Sequence, residues 1–301
     1  MSKEVIEIAS KHLGQTVSAY SDLYDKSLLV KVPRYLNREA YGIDEAKLPF
    51  VGYDVWNAYE VSALTTKGRP VTGLLKIIYP SDSKYHVESK SIKLYLNSFN
   101  MTPIGDTKQE CTDMLQEYIE KDLSDLLQCS VACKLHTTVS LDSTGNDVWY
   151  GFPFANVEES VDLDSINFTA YKSDANQLEL VDGDEVGTYL HTDLLRSNCR
   201  VTNQPDWGDI YVYMRGEKVI TPTSFAKYVV SHRKVSHFHE EICEMVYKHL
   251  WDRCNPEELM VACLYTRRGG IDINPIRASD PDLIPTKFIS PNYINEKTLR
   301  Q

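Results

Sequence analysis

The feature that most constrains this chain is an internal echo. "SVACKL" at 130–135 is answered by "MVACLY" at 260–265, an offset of 130, and "SIKLYLNSF" at 91–99 by "SFAKYVVSH" at 224–232, an offset of 133. Self-similarity at a near-constant offset means that one supersecondary unit is used twice. In the first unit two alternating runs, "YDVWNAYEVSAL" and "PVTGLLKIIYP", flank "TTKGR" and predict a β-hairpin. A short helical pattern follows in "ESKSIKLYLNSFN". A longer helix follows in "DTKQECTDMLQEYIEKDLSDLL", with Cys111, Met114, Leu115, Tyr118 and Ile119 on one face and Asp106 as N-cap. "CSVACKLHTTV" closes the unit as a strand. In the second unit strands are expected in "GDIYVYMRG" and "EKVIT". A short helix is expected in "SFAKYVVSH", a long one in "EEICEMVYKHLW", and a strand through "ELMVACLYTRRGGIDINP".

The class is therefore α+β, with antiparallel sheets and helices on one face. The expected boundaries are a helix and lead-in loop at 1–50, a first module at 51–140, a polar connection at 141–190, a second module at 191–280 and a tail at 281–301.

Composition enters by what it excludes. No run of 18 apolar residues occurs among the 301, so no membrane span is expected. "MSKEVIEIASKHLGQ" reads as an amphipathic helix and not as a signal peptide. Seven cysteines without a CxxC pair suit a reduced, cytoplasmic protein. A net charge of −11 disfavours a direct nucleic-acid partner. No GxGxxG, GK[ST] or HExxH pattern is present.

The two units differ where chemistry would sit. Only the second carries a cysteine, Cys199, ahead of its "GDIYVYMRG" strand, with Asp206 seven residues on. A thiolate is the reactive form of cysteine, and an adjacent acid or base can manage its proton; a packed thiol is the plain alternative. Only the first carries "ESKSIK". There Glu88 suits a helix start, while Ser89 and Lys90 would offer a hydroxyl, a cation and free helix N–H groups to a phosphate. "TRRGG", with Arg268 and Gly269, suits an anion held near backbone, or a charged turn. Only the second carries "HFHEE". His239 and Cys243 stand four apart on a helix, a metal-ligand spacing, but no further patterned ligands accompany them. Glu240 lies off the apolar stripe and could accept two hydrogen bonds from the N–H edge of a guanine-like ring, or simply occupy a first helical turn.

Together "ESKSIKLYLNSFN", "NCRVTNQPDWGDIYV", "FHEEICE" and "YTRRGGIDINP" make the chain resemble the NADPH-dependent 7-cyano-7-deazaguanine reductases of queuosine biosynthesis, in their long two-module class, over roughly residues 15–280. The resemblance implies two tandem tunnelling-fold modules and a homodimer. It implies reduction of a nitrile to a primary amine with two NADPH. It makes Cys199 the nucleophile of a covalent thioimide and Asp206 the proton donor. Val87, Glu88, Ser89, His239 and Glu240 would hold the deazaguanine, and Ser89, Lys90, Arg268 and Gly269 would contact NADPH. No metal is implied. The alternatives are a zinc cyclohydrolase of the same fold, for which no ligand set is found, and a non-catalytic purine-binding module. Activity is thus expected to survive exhaustive chelation; metal analysis finding one zinc per chain would restore the cyclohydrolase reading.

Overall fold

The computed structural model describes residues 23–137 and 149–301, together with Glu7. The N-terminal helix expected over the first 15 residues, Glu7 apart, lies outside the described residues. The expected lead-in loop is partly ordered, as strand β1 (Lys31–Pro33) and one helical turn, α1 (Tyr35–Arg38). A hairpin follows, β2 (Val51–Leu64) and β3 (Pro70–Pro80), then β4 (Tyr85–Val87), α2 (Ser89–Ser98), α3 (Lys108–Leu127) and β5 (Ala132–His136).

The cap of α3 is Thr107, which accepts from the Glu110 N–H at 3.1 Å, and not Asp106, which instead accepts from the Thr66 hydroxyl. The expected stripe of α3 is buried at Cys111, Leu115 and Ile119, while Met114 and Tyr118 form its exposed margin.

The connection contains β6 (Trp149–Tyr150), single 3-10 turns capped by the side chains of Asn156, Asp162 and Asp174, and β7 (Leu180–Asp182). Such side chains offer the backbone a local acceptor that substitutes for a ladder. Then come β8 (Thr188–Cys199), β9 (Pro205–Arg215), β10 (Lys218–Ile220), α4 (Pro222–Val230), β11 (Ser236–His237), α5 (His239–Cys254), β12 (Glu258–Tyr265), β13 (Ile271–Ala278) and β14 (Ile294–Asn295).

Three expectations need correction. The second unit opens with β8 at Thr188, inside the segment expected to connect. Cys199 is therefore the last residue of that strand and does not precede the unit's first strand. "ELMVACLYTRRGGIDINP" is two strands folded at the glycine pair, where Gly269 and Gly270 both have positive φ, and not one strand.

An eight-stranded sheet in the order β11-β8-β9-β12-β13-β2-β3-β5 spans both units. Its neighbours are antiparallel except β11 and β8. The echo in sequence is an echo in register. Ala63 faces Val71 and Leu64 faces Pro70 in the first hairpin, as Ser197 faces Asp206 and Asn198 faces Pro205 in the second. Each hairpin slips register once, between Ala58 and Val61 and between Thr192 and Leu195. A glycine follows each slip on the partner strand, Gly73 and Gly208, where a Cβ would stand 2.5 Å from the His136 carbonyl and 2.8 Å from that of Leu264.

Strand β12 shows how the sheet is covered. Leu259, Val261, Cys263 and Tyr265 join the core under α4 and α5, while Met260, Ala262 and Leu264 join a second core with Ile284 and Phe288 of the tail. Alternate residues face opposite sides of a strand, so a strand covered on both sides reads as an unbroken apolar run. A separate core of Leu75, Ile77, Leu94, Tyr95, Leu115 and Ile119 lies under α2 and α3.

Between the halves lies a buried ionic network. Arg34 and Arg277 both pair with Asp54, and Arg277 and Arg38 both pair with Glu244, the latter two at 2.8 Å. These five residues are at most 4% exposed. Burial alone would raise the Glu244 carboxyl, but Arg277, Arg38 and Arg34 outweigh it and hold it at about 2. Asp54 is depressed in the same way by Arg277 and Arg34. A carboxyl whose folded-state pKa is depressed contributes stability above its unfolded pKa and loses that contribution as pH falls toward the folded value. Removing one partner of a buried ion cluster costs about 3–5 kcal/mol. Glu244→Ala is therefore expected to lower the urea midpoint sharply at pH 7 and to flatten the loss of stability between about pH 5 and pH 2; an unchanged acid limb would refute the role of Glu244.

Candidate active site

A cavity of about 430 Å³ opens where the two units meet. The first unit contributes Trp56, His86, Val87, Glu88, Lys90 and Lys93. The second contributes Cys199 and Asp206 from its hairpin, Phe238, His239 and Glu240 from the start of α5, and Arg268 with Gly269 from the β12–β13 turn. Ser89 lines it as well, so the residues singled out in the sequence for the thiol chemistry, the base and NADPH all line this cavity, while Cys243 does not. Among the lining residues that sequence reasoning passed over are His86, Phe238, Trp56 and Lys93. Phe238 and Lys93 each stood inside a quoted motif without a role.

Cys199 and Asp206 are brought together by hairpin register. Asp206 faces Ser197 across the ladder, and Cys199 follows on the same side of the strand two residues later. Beyond Cys199 the chain turns through Asn203, whose positive φ lets the Asn203 N–H donate to the Cys199 carbonyl at 2.9 Å. Asp206 is 2% exposed. Burial raises its carboxyl, but His239, with Nε2 at 3.4 Å, and Arg268, which donates to it directly, together bring it below the usual aspartate range. Asp206 is thus a carboxylate at rest and can take a proton before it gives one. Arg268 also reaches the Cys199 thiol and donates to the Gln204 side chain at 2.6 Å. The His239 ring stacks on Tyr265 with centroids 3.8 Å apart, so its Nε2 is fixed toward Asp206.

The opposite wall is acidic and buried. Glu88 caps α2, accepting from the Lys90 N–H at 2.9 Å and the Ser91 N–H at 2.7 Å. The Lys90 and Ser91 N–H groups are therefore taken, and are not free for a phosphate as the sequence suggested. Burial pushes the Glu88 carboxyl up. Glu240 is 4% exposed, and its Oε1 has no hydrogen-bond partner among the described residues. Burial, and then Asp54, raise it to about 8. The start of α5 that carries it is held by its neighbour Glu241, which accepts from the Phe238 N–H at 3.0 Å and pairs with Arg200 at 2.9 Å.

The rim is cationic. Lys90 and Lys93 face the cavity from α2. A Cβ on Gly269 would come within 3.0 Å of the Lys93 ammonium, so glycine keeps that cation approachable. The paired arginines separate: Arg268 turns into the cavity, whereas Arg267 stacks on Tyr59 at 4.5 Å. The set fits an anionic, phosphate-bearing cosubstrate such as NADPH. His239 and Cys243 do not converge. Cys243 is fully buried, and its thiol points at the carbonyls of Val261 and Pro275.

Among the described residues no helix is long and apolar enough to cross a membrane. Residues 20–135 match the family model described as nitrile reductase, 7-cyano-7-deazaguanine-reductase N-term, and residues 205–282 match the QueF-like protein model. An NADPH-dependent 7-cyano-7-deazaguanine reductase of Colwellia psychrerythraea is 37% identical over 286 residues, covering 93% of this chain and 95% of its own. One of Rickettsia akari is 37% identical over 273 residues, covering 91% and 94%. The apo structure of an archaeosine synthase, QueF-Like, overlays 33% of this chain and 91% of its own at 19% identity, with a TM-score of only 0.28.

The seven cysteines are free thiols, and five of them are buried. Of the other two, Cys129 has its thiol pushed up by burial, which slows attack on an alkylating agent. Limiting iodoacetamide at pH 7 is expected to label Cys199 first, Cys129 more slowly and the remainder only after unfolding, as read by peptide mass spectrometry. Uniform labelling would show that the cavity does not expose the Cys199 thiol.

Proposed function

The chain belongs to the NADPH-dependent 7-cyano-7-deazaguanine reductases, and we propose that it carries out their nitrile reduction through a covalent adduct on Cys199. What carries this reading is the convergence, in one cavity, of a thiol, an ionised carboxylate and a buried carboxyl with one oxygen unpartnered among the described residues. A nitrile is a poor hydride acceptor. Asp206 takes the thiol proton while the Cys199 sulfur bonds to the nitrile carbon and one carbon–nitrogen π bond opens. Asp206 then returns that proton to the nitrogen, which leaves a thioimide. His239 and Arg268 hold the carboxylate between these two transfers. NADPH, when bound, supplies the hydride for each of two reductions. Lys90, Ser89, Arg268 and Gly269, joined here by Lys93, form the surface that would hold it.

The deazaguanine would lie between Val87–Glu88 and His239–Glu240. Glu88 keeps lone pairs beyond its two capping bonds, and the unpartnered Glu240 oxygen suits a ring N–H or exocyclic amine. The fold would be two tandem tunnelling-fold modules. The sheet leaves β5 at one edge and the two-residue β11 at the other, and unpaired edges invite closure by a second chain. The reading is a cytoplasmic homodimer acting on the free base.

Two outcomes follow. The cyano base without NADPH is expected to add its whole mass to Cys199, and Cys199→Ala is expected to form no adduct and not turn over; an adduct elsewhere would overturn the nucleophile. For Glu240, losing a charge-assisted bond and leaving a donor unpaired costs about 2–4 kcal/mol. Glu240→Gln is therefore expected to weaken base binding about thirty- to a thousandfold. Accepting two N–H groups requires the ionised form, and the free carboxyl is raised to about 8, so wild-type affinity should climb as pH rises toward that value and stay flat in Glu240→Gln. Near-native affinity in Glu240→Gln would return Glu240 to a helix-start role.

A further inference from the structure

No step above uses His86. It stands on β4, 3% exposed, with its ring edge-to-face against Phe238 at 5.1 Å. Among the described residues neither ring nitrogen has a hydrogen-bond partner, nor does Glu240 Oε1, which lies 3.7 Å from His86 Nδ1. Two buried polar groups facing each other across a gap slightly too wide for a bond leave the free protein unsatisfied, and such groups are rare unless something satisfies them. Charged and titratable groups surround the pair on all sides. Arg34 and Arg38 face it from α1 and the residue ahead of it, Asp54 from β2, Tyr79 from β3, Glu244 from α5 and Arg277 from β13. Burial, and then Arg34, push the imidazole down to about 3, so it is neutral and has one N–H to donate.

We propose that His86 is a positioning residue for base recognition: when the base binds, His86 donates through Nδ1 to Glu240 Oε1 and fixes the carboxylate in the plane of the ring's N–H edge. The inference rests on the base-binding role of Glu240 given above. One lone pair of the carboxylate is then held by the protein, and the others meet the adjacent ring N–H and exocyclic amine of a 2-aminopyrimidinone. A base lacking the exocyclic amine would leave one of them unpaired. The chain therefore selects aminated bases through the pair, and not through Glu240 alone.

The test is calorimetric binding of the aminomethyl base, which has no nitrile for Cys199 to attack, from pH 6 to 9. His86→Leu is expected to weaken binding about ten- to a hundredfold and to reduce discrimination against the analogue without the exocyclic amine, with NADPH affinity unchanged. His86→Asn, whose amide nitrogen takes the place of Nδ1, is expected to restore most of the affinity. Unchanged discrimination in His86→Leu, or no rescue by His86→Asn, overturns the proposal. Should His86→Leu fail to fold, His86→Gln, whose amide nitrogen takes the place of Nε2, replaces it, and equal affinity in the Asn and Gln proteins overturns the proposal. Glu240→Gln separates the two failures: near-native affinity there sinks the base site itself, whereas a loss there with none in His86→Leu sinks only the role of His86.

Discussion

The buried network of Arg34, Arg38, Arg277, Asp54 and Glu244 is the constraint on which the rest of the molecule depends. It ties α1, β2, α5 and β13 together where the two units abut. Burying a charge is tolerable only when it is paired and hydrogen-bonded, so each member fixes the place of the others. Glu244 lies one turn beyond Glu240 on α5, and residues four apart share a helix face. The arginines that hold Glu244 therefore set the rotation of α5 that presents Glu240 and His239 to the cavity. Asp54 acts at longer range, raising the Glu240 carboxyl together with burial. The same charges thus fix the site's geometry and its protonation.

Much of the fold could be read because local pattern and tertiary need agree. The hairpin of β2 and β3 and the stripe of Ile242, Cys243, Val246, Tyr247 and Leu250 on α5 follow from periodicity, and all five stripe residues are fully buried. Strand β8 escaped because its register slip breaks the alternation. Its buried positions run Leu190, Thr192, Leu195, Ser197, a spacing of two, three and two that matches neither period. "TRRGG" suggested a charged turn, but the break between β12 and β13 escaped because β12 reads as an unbroken apolar run and the buried polar residues of β13 keep no helix or turn signature of their own.

The candidate site was legible where chemistry-bearing types crowd into a short motif, as in "FHEEICE" or "TRRGG". It was not legible where a residue acquires its setting from distant chain. His86 sits in "KYHVESK" with nothing to mark it; its isolation comes from Phe238 and Glu240, more than 150 positions away. The difference between Arg267 and Arg268 is likewise a matter of which side of a hairpin each faces. The helix N–H groups at Lys90 and Ser91 looked available because the sequence does not say that Glu88 turns back to cap them.

The register echo has a consequence for stoichiometry. In the first hairpin Thr65 and Val71 stand where Cys199 and Asp206 stand in the second. The start of α3 carries Thr107 where that of α5 carries Phe238, His239 and Glu240, while Glu88, the cap of α2, is answered at α4 by Thr221. What each half lacks the other holds, so two copies of one architectural unit make a single complete set of groups. A chain built by doubling thus carries one such set and not two, and neither half, severed from the other, holds all of its members.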